Sequence, residues 1–287
     1  MSIKNSLVVI SVMMLYFLSN SMIFLNHSYA LSEPPFITFT MGSLILLSLY
    51  LVYFKLYSLI AASFLISLSL TTRYIGVTLL PTMIIALLFF REWPLRKRIH
   101  DIFLAITVAI FPLLLWMFRN IMVAQSATNR IFTIHPIDFS HIRSLFGTIY
   151  YFTFPISIPL SAKILYFCVI TVLSIVGMAI LRKTKYISNN ANSTVITLPA
   201  ICTSFLFNYI FFLIISICFF DAHIPLDYRL LLPALLVLIL NISSLCYSLS
   251  VSIKNDTIWY TFLFFVFLSF FLNLPRTVTK AVELHNI

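Results

Sequence analysis

The chain has 287 residues, 61% of them hydrophobic and only 9% charged, with a formal net charge of +10. Soluble domains carry about 25% charged side chains, so this composition excludes a soluble globule, and the mean hydropathy of +1.06 marks an integral membrane protein. The basic residues flank apolar runs in short tracts, which is the pattern of membrane orientation and not of nucleic-acid binding.

A helix needs about 20 apolar residues to cross the hydrocarbon core. On that measure nine segments are predicted, at residues 7–24, 35–54, 56–71, 75–90, 102–118, 164–181, 198–219, 230–249 and 258–272. The expected fold is all-α, a polytopic membrane protein of about nine transmembrane helices forming one domain over 1–287. The first run follows Lys4 but has no small-residue cleavage site behind it, so it reads as a retained helix and not a signal peptide. Cys168, Cys202, Cys218 and Cys246 all lie in or at the end of apolar runs and imply neither a disulfide framework nor a zinc site.

Between the first two segments stands Asn26-His27, followed by Ser32-Glu33-Pro34-Pro35. Proline suits the first turn of a helix, where its missing N–H costs little, and the Ser32 hydroxyl is placed to cap that turn. Glu33 then sits at the positive end of the helix dipole, an arrangement worth roughly 0.3 to 1 kcal/mol even without a functional role. The apolar stretch 56–90 is too long for one span. Arg73-Tyr74-Ile75-Gly76 divides it by a turn in which Gly76 permits a close backbone approach or an unusual dihedral.

Arg91 with Arg96, Lys97 and Arg98 forms one basic tract, and Arg182, Lys183 and Lys185 form another, so both are assigned to the cytoplasmic side. His100, beside Asp101, reads as a solvated residue of that inner loop. Threading the spans through these anchors places ten of the eighteen basic residues inside. Arg73, Arg119 and Arg229 fall outside, each abutting a helix end. Snorkelling to the headgroups accounts for any one of them, whereas three beside Glu33 and Asp227 favour a common site.

Trp116 precedes Arg119-Asn120 at the expected end of the fifth span. The outer connection 119–163 follows, in which Ile142, Leu145, Phe146 and Ile149 recur at helical spacing beside polar His141, Arg143 and Ser144. This predicts a short helix lying in the membrane interface, ended by Pro155 and Pro159. Further on, Asp221, His223 and Asp227 could hold a divalent metal, although their spacing matches no metal motif and fixes no cofactor. Asp227-Tyr228-Arg229 then leads into Leu230-Leu231-Leu232-Pro233.

In this order, His27 with Leu31-Ser32-Glu33-Pro34, Thr72-Arg73-Tyr74-Ile75-Gly76, Trp116 with Arg119-Asn120, and Asp227-Tyr228-Arg229-Leu230-Leu231-Leu232-Pro233 span most of the chain. The set resembles the GT-C membrane glycosyltransferases, specifically the bacterial and archaeal mannosyltransferase-like proteins. The resemblance implies transfer of a sugar from a polyprenyl-phosphate-linked donor to a glycan, lipid or protein acceptor on the extracytoplasmic face of the plasma (cell inner) membrane. It also implies roles for particular residues. Arg73, Arg119 and Arg229, with Tyr74, Asn120 and His27, become candidates for binding the donor phosphate and substrate, and Glu33 and Asp227 become the catalytic candidates.

Members of that family carry two further spans, and a large outer loop with the catalytic aspartate, ahead of the Ser-Glu-Pro segment. Here that segment follows the first span directly. The expectation is a chain lacking those spans, with a partner chain or an upstream segment supplying the loop. Two other readings compete: a secondary transporter, because charges within membrane segments also mark substrate pathways, and a non-catalytic membrane subunit.

Overall fold

The computed structural model describes residues 32–90, 93–125, 138–153, 194–220 and 226–253 continuously, with scattered positions elsewhere. The described residues are mostly helical, and none of them lies in a strand. In chain order they form α1 (Glu33–Tyr53), α2 (Leu56–Thr72), a 3-10 turn (Tyr74–Thr78), α3 (Leu79–Phe89), α4 (Leu95–Ala124), α5 (Phe139–Thr153), α6 (Thr194–Phe219) and α7 (Tyr228–Ile253). Four stretches are long and apolar enough to cross a membrane: Glu33–Tyr53, Leu95–Ala124, Thr197–Phe219 and Arg229–Cys246. Leu56–Thr72 and Tyr74–Phe89 are shorter apolar helices. The expected spans at 7–24, 164–181 and 258–272, with His27, Asp221 and His223, fall wholly or mostly outside the described residues.

The core is an antiparallel pair, α1 and α2, against which α4 and α6 pack, with α7 on α6 and α3 between α4 and α6. The buried face of α2 is built from Ser58, Leu59, Ala62, Ser63, Ile66, Ser67, Ser69 and Leu70. Small side chains there let the backbones approach, which is how helices associate where lipid removes any hydrophobic gain from burial. The hydroxyls return to their own helix, as when Ser63 donates to the Leu59 carbonyl at 2.9 Å, or bridge helices, as in Thr40 with Ser69 at 3.3 Å. Two amides add cross-links: Asn208 Nδ2 donates to Thr82 at 3.0 Å and Asn241 Nδ2 to Thr203 at 3.1 Å.

Local chemistry sets the boundaries. Pro34 and Pro35 open α1 as expected, but the Ser32 hydroxyl makes no capping bond, because Ser32 already has helical dihedrals (φ −77, ψ −11) that turn its side chain away from the first-turn amides. Phe54 closes α1 in the left-handed region (φ 59) and allows the tight return into α2. Arg73 is extended (φ −148, ψ 137) and separates α2 from the 3-10 turn. Gly76 serves close approach and not dihedral freedom, since a Cβ there would stand 2.8 Å from the carbonyl carbon and oxygen of Ser69.

Two expectations require correction. α4 begins at Leu95 and runs to Ala124, so Arg119-Asn120 lies inside the helix and does not cap its end. Thirty residues at 1.5 Å make about 45 Å of helix, longer than the roughly 30 Å that a hydrocarbon core requires, so the helix has length to spare for polar ends. For the same reason His100 is exposed as expected but lies within α4 and not in a loop, and Asp101 beside it is 3% exposed.

Candidate functional site

Glu33, Arg73 and Arg229 meet at one end of the bundle. Glu33 enters on the first turn of α1, Arg73 on the extended link after α2, and Arg229 on the first turn of α7. The Glu33 carboxylate is fully buried. Arg229 donates to its Oε1 through Nε at 3.1 Å and Nη2 at 3.0 Å. Arg73 Nη1 stands 2.6 Å from the same oxygen, an ion contact set off the hydrogen-bonding direction. Oε2 is buried and has no hydrogen-bond partner among the described residues.

Two guanidiniums therefore share one carboxylate, and the cluster keeps one excess positive charge. Both arginines also keep contact with the exterior, with side-chain exposures of 23% for Arg73 and 46% for Arg229. Beside them lies a cavity of about 240 Å³ lined by Ser32, Thr72, Arg73, Tyr74, Ile75, Phe212, Leu213, Ser216 and Leu230. One wall is cationic and hydroxylic and the other apolar, a lining suited to an anion attached to hydrocarbon.

Asp227 has a different task from Glu33. Its Oδ1 accepts the backbone N–H of Arg229 at 3.1 Å and of Leu230 at 3.1 Å, the N-cap geometry that satisfies first-turn donors of α7. Asp227 thus fixes the backbone on which Arg229 stands. Tyr209, fully buried in α6, donates its hydroxyl to the Leu230 carbonyl at 2.6 Å and ties α6 to the same turn. From the opposite flank, Ser144 and Thr148 of α5 each donate to the Leu226 carbonyl at 3.0 Å. Leu145 and Ile149, on the same side of α5, pack against the core, so a helix is present where the spacing predicted one, and it braces the α7 entry.

Tyr74 lines the cavity and meets Trp116 edge-on at 6.4 Å between ring centroids. This brings α4 to the rim of the site. Arg119 and Asn120 lie one turn further along α4; Arg119 is exposed, and neither lines the cavity. Of the residues expected from sequence, the structure gathers Glu33, Arg73, Tyr74 and Arg229, with Asp227 immediately behind, and leaves Arg119 and Asn120 apart. Tyr209 and Ser216 were not anticipated, and Thr72 stood in the motif around Arg73 without a role. Tyr209 alone carried a signal, as a phenol within an apolar run that must find a hydrogen-bond acceptor when buried.

No group of three metal-ligating side chains exists among the described residues. Comparisons with protein-family models, with curated proteins and with solved structures find no match for this chain.

Proposed function

We propose that this chain is a GT-C-like membrane glycosyltransferase, of about nine spans, that holds a polyprenyl-phosphate-linked sugar at the extracytoplasmic face of the cell inner membrane. The observation that carries the reading is the pair of guanidiniums anchored on one buried carboxylate, with Arg73 lining a cavity that has an apolar wall and Arg229 half-exposed beside it. A planar arginine fork matches phosphate oxygens and keeps its charge at any physiological pH. In transfer, the acceptor oxygen bonds to the sugar's anomeric carbon, the bond from that carbon to the phosphate oxygen breaks, and the electron pair leaves with the lipid phosphate. Arg73 and Arg229 stabilise that growing charge, and donors held in place beforehand cost no reorganisation as it develops.

Under this reading Glu33 and Asp227 position groups and do not act as the base. Glu33 is sealed from the cavity with Oε1 committed to both arginines, and the contacted oxygen of Asp227 is committed to the helix cap. The proton of the acceptor then passes to a group outside the cavity lining, whether on this chain or on a partner chain. The test is release of polyprenyl phosphate from a polyprenyl-phosphate sugar in reconstituted vesicles, with and without candidate acceptors. Arg73→Lys and Arg229→Lys are each expected to lower release about tenfold or more, as loss of a charge-stabilising donor does; undiminished release in both would overturn the reading.

A further inference from the structure

A second cluster lies at the opposite end of the bundle, where α1 turns into α2 and α3 gives way to α4. Trp93 is its hub, meeting Phe54 at 5.4 Å and Tyr50 at 5.5 Å, both edge-on. Lys97 holds its ammonium 4.1 Å from the Trp93 centroid and 5.7 Å from that of Phe54. Arg98 Nη1 donates to the Leu88 carbonyl at 2.7 Å, fastening the start of α4 to the end of α3. Lys55 and Arg96 are exposed. Among the described residues none of Lys55, Arg96 and Lys97 forms an ion pair, and Asp101 is buried against the Tyr50 hydroxyl at 2.5 Å.

We infer that this corner is a binding surface for the anionic headgroups of phospholipids in the leaflet it faces. Lys97 fixed on aromatic rings, with exposed Lys55 and Arg96 nearby and none of the three paired with a carboxylate among the described residues, complements a phosphodiester, and an ammonium seated on a ring keeps N–H donors for a second partner. The setting selects lipid over a soluble anion. Tyr53 and Tyr57 are 62% and 70% exposed beside the cations, and amphipathic rings collect at headgroup level. The basic turn of α4 continues directly into a helix that exposes Phe103, Phe111 and Phe118, so a headgroup on the cations would have its acyl chains along that face. Each such cation contributes about a fivefold preference for an anionic surface.

The experiment uses the full chain with Trp116→Phe and Trp259→Phe, leaving Trp93 as the only indole, in vesicles containing brominated phosphatidylglycerol or brominated phosphatidylcholine. Brominated phosphatidylglycerol is expected to quench Trp93 at a lower mole fraction, a preference that falls as salt rises. Combining Arg96→Gln with Lys97→Gln should cut the preference by about tenfold or more, whereas Lys97→Arg retains it. Equal quenching by the two lipids at low salt would overturn the inference, as would a preference unchanged by the double substitution. The salt dependence is read with Lys97 intact, so it decides the matter even if loss of Lys97 disturbs the corner.

Discussion

Each end of this bundle buries a carboxylate, and the two are not alike. Glu33 is 0% exposed and faces two guanidiniums. Asp101 is 3% exposed and accepts a single phenol, with His100 Nδ1 at 3.4 Å on its margin. Beside Glu33 both arginines keep contact with the exterior and Arg73 lines a cavity, whereas Tyr50 spends its only donor on Asp101. A buried acid therefore does not by itself mark a binding site. What marks one is a neighbour with donors left over and a space to aim them into.

The comparison breaks most visibly at Glu33. Glu33→Ala removes the carboxylate that two positive groups share, and breaking a buried pair costs about 3 to 5 kcal/mol; the half-exposed Arg229 puts the expected loss near the lower figure. Thermal unfolding in detergent reads it, and a loss no larger than that of Asp101→Asn would remove the distinction between the two ends. Tyr50→Phe leaves a buried oxygen without its donor, which costs about 1 to 3 kcal/mol, and should leave anion binding at the Glu33 end unchanged. Asp227→Ala deletes the cap of α7 for about 1 kcal/mol. Its sharper signature is weaker binding of a phosphate-bearing lipid, because the backbone under Arg229 loosens.

The smallest effect is at the mouth of α5. The Ser140 hydroxyl, with the Phe139 N–H, holds the exposed Asp138 carboxyl below the ordinary aspartate range. A depressed carboxylate stabilises the fold above its unfolded pKa, near 3.9, and that contribution disappears as pH falls through the folded value. Hydrogen exchange across residues 139–153 should accelerate on acidification over that interval, and Asp138→Asn should flatten the response.

Much of this architecture was legible in the sequence. Apolar length and the break at Arg73 put one boundary pair at 56–71, beside the observed Leu56–Thr72. The recurrence of polar clusters at one end of successive runs brought Glu33 and Arg229 together across 196 positions. Windows of apolar residues could not show that α4 continues through its charged first turns and past Arg119, because a helix needs no apolar residues once it leaves the hydrocarbon. That is why His100, beside Asp101, was read as a loop residue, and the partner of Asp101, Tyr50, 51 positions away, left no local trace. Asp227 was read by its charge, when its position one residue before a helix already spoke for a cap.

The central claim is that the Glu33 end binds an anionic group carried on a lipid tail. Equilibrium binding of a short polyprenyl phosphate, set against the corresponding polyprenol, tests it directly on the reconstituted chain. The account predicts that the phosphate binds more tightly than the alcohol, and that Arg73→Lys or Arg229→Lys largely erases the difference. Equal affinity for phosphate and alcohol, or a difference that survives both substitutions, would contradict it.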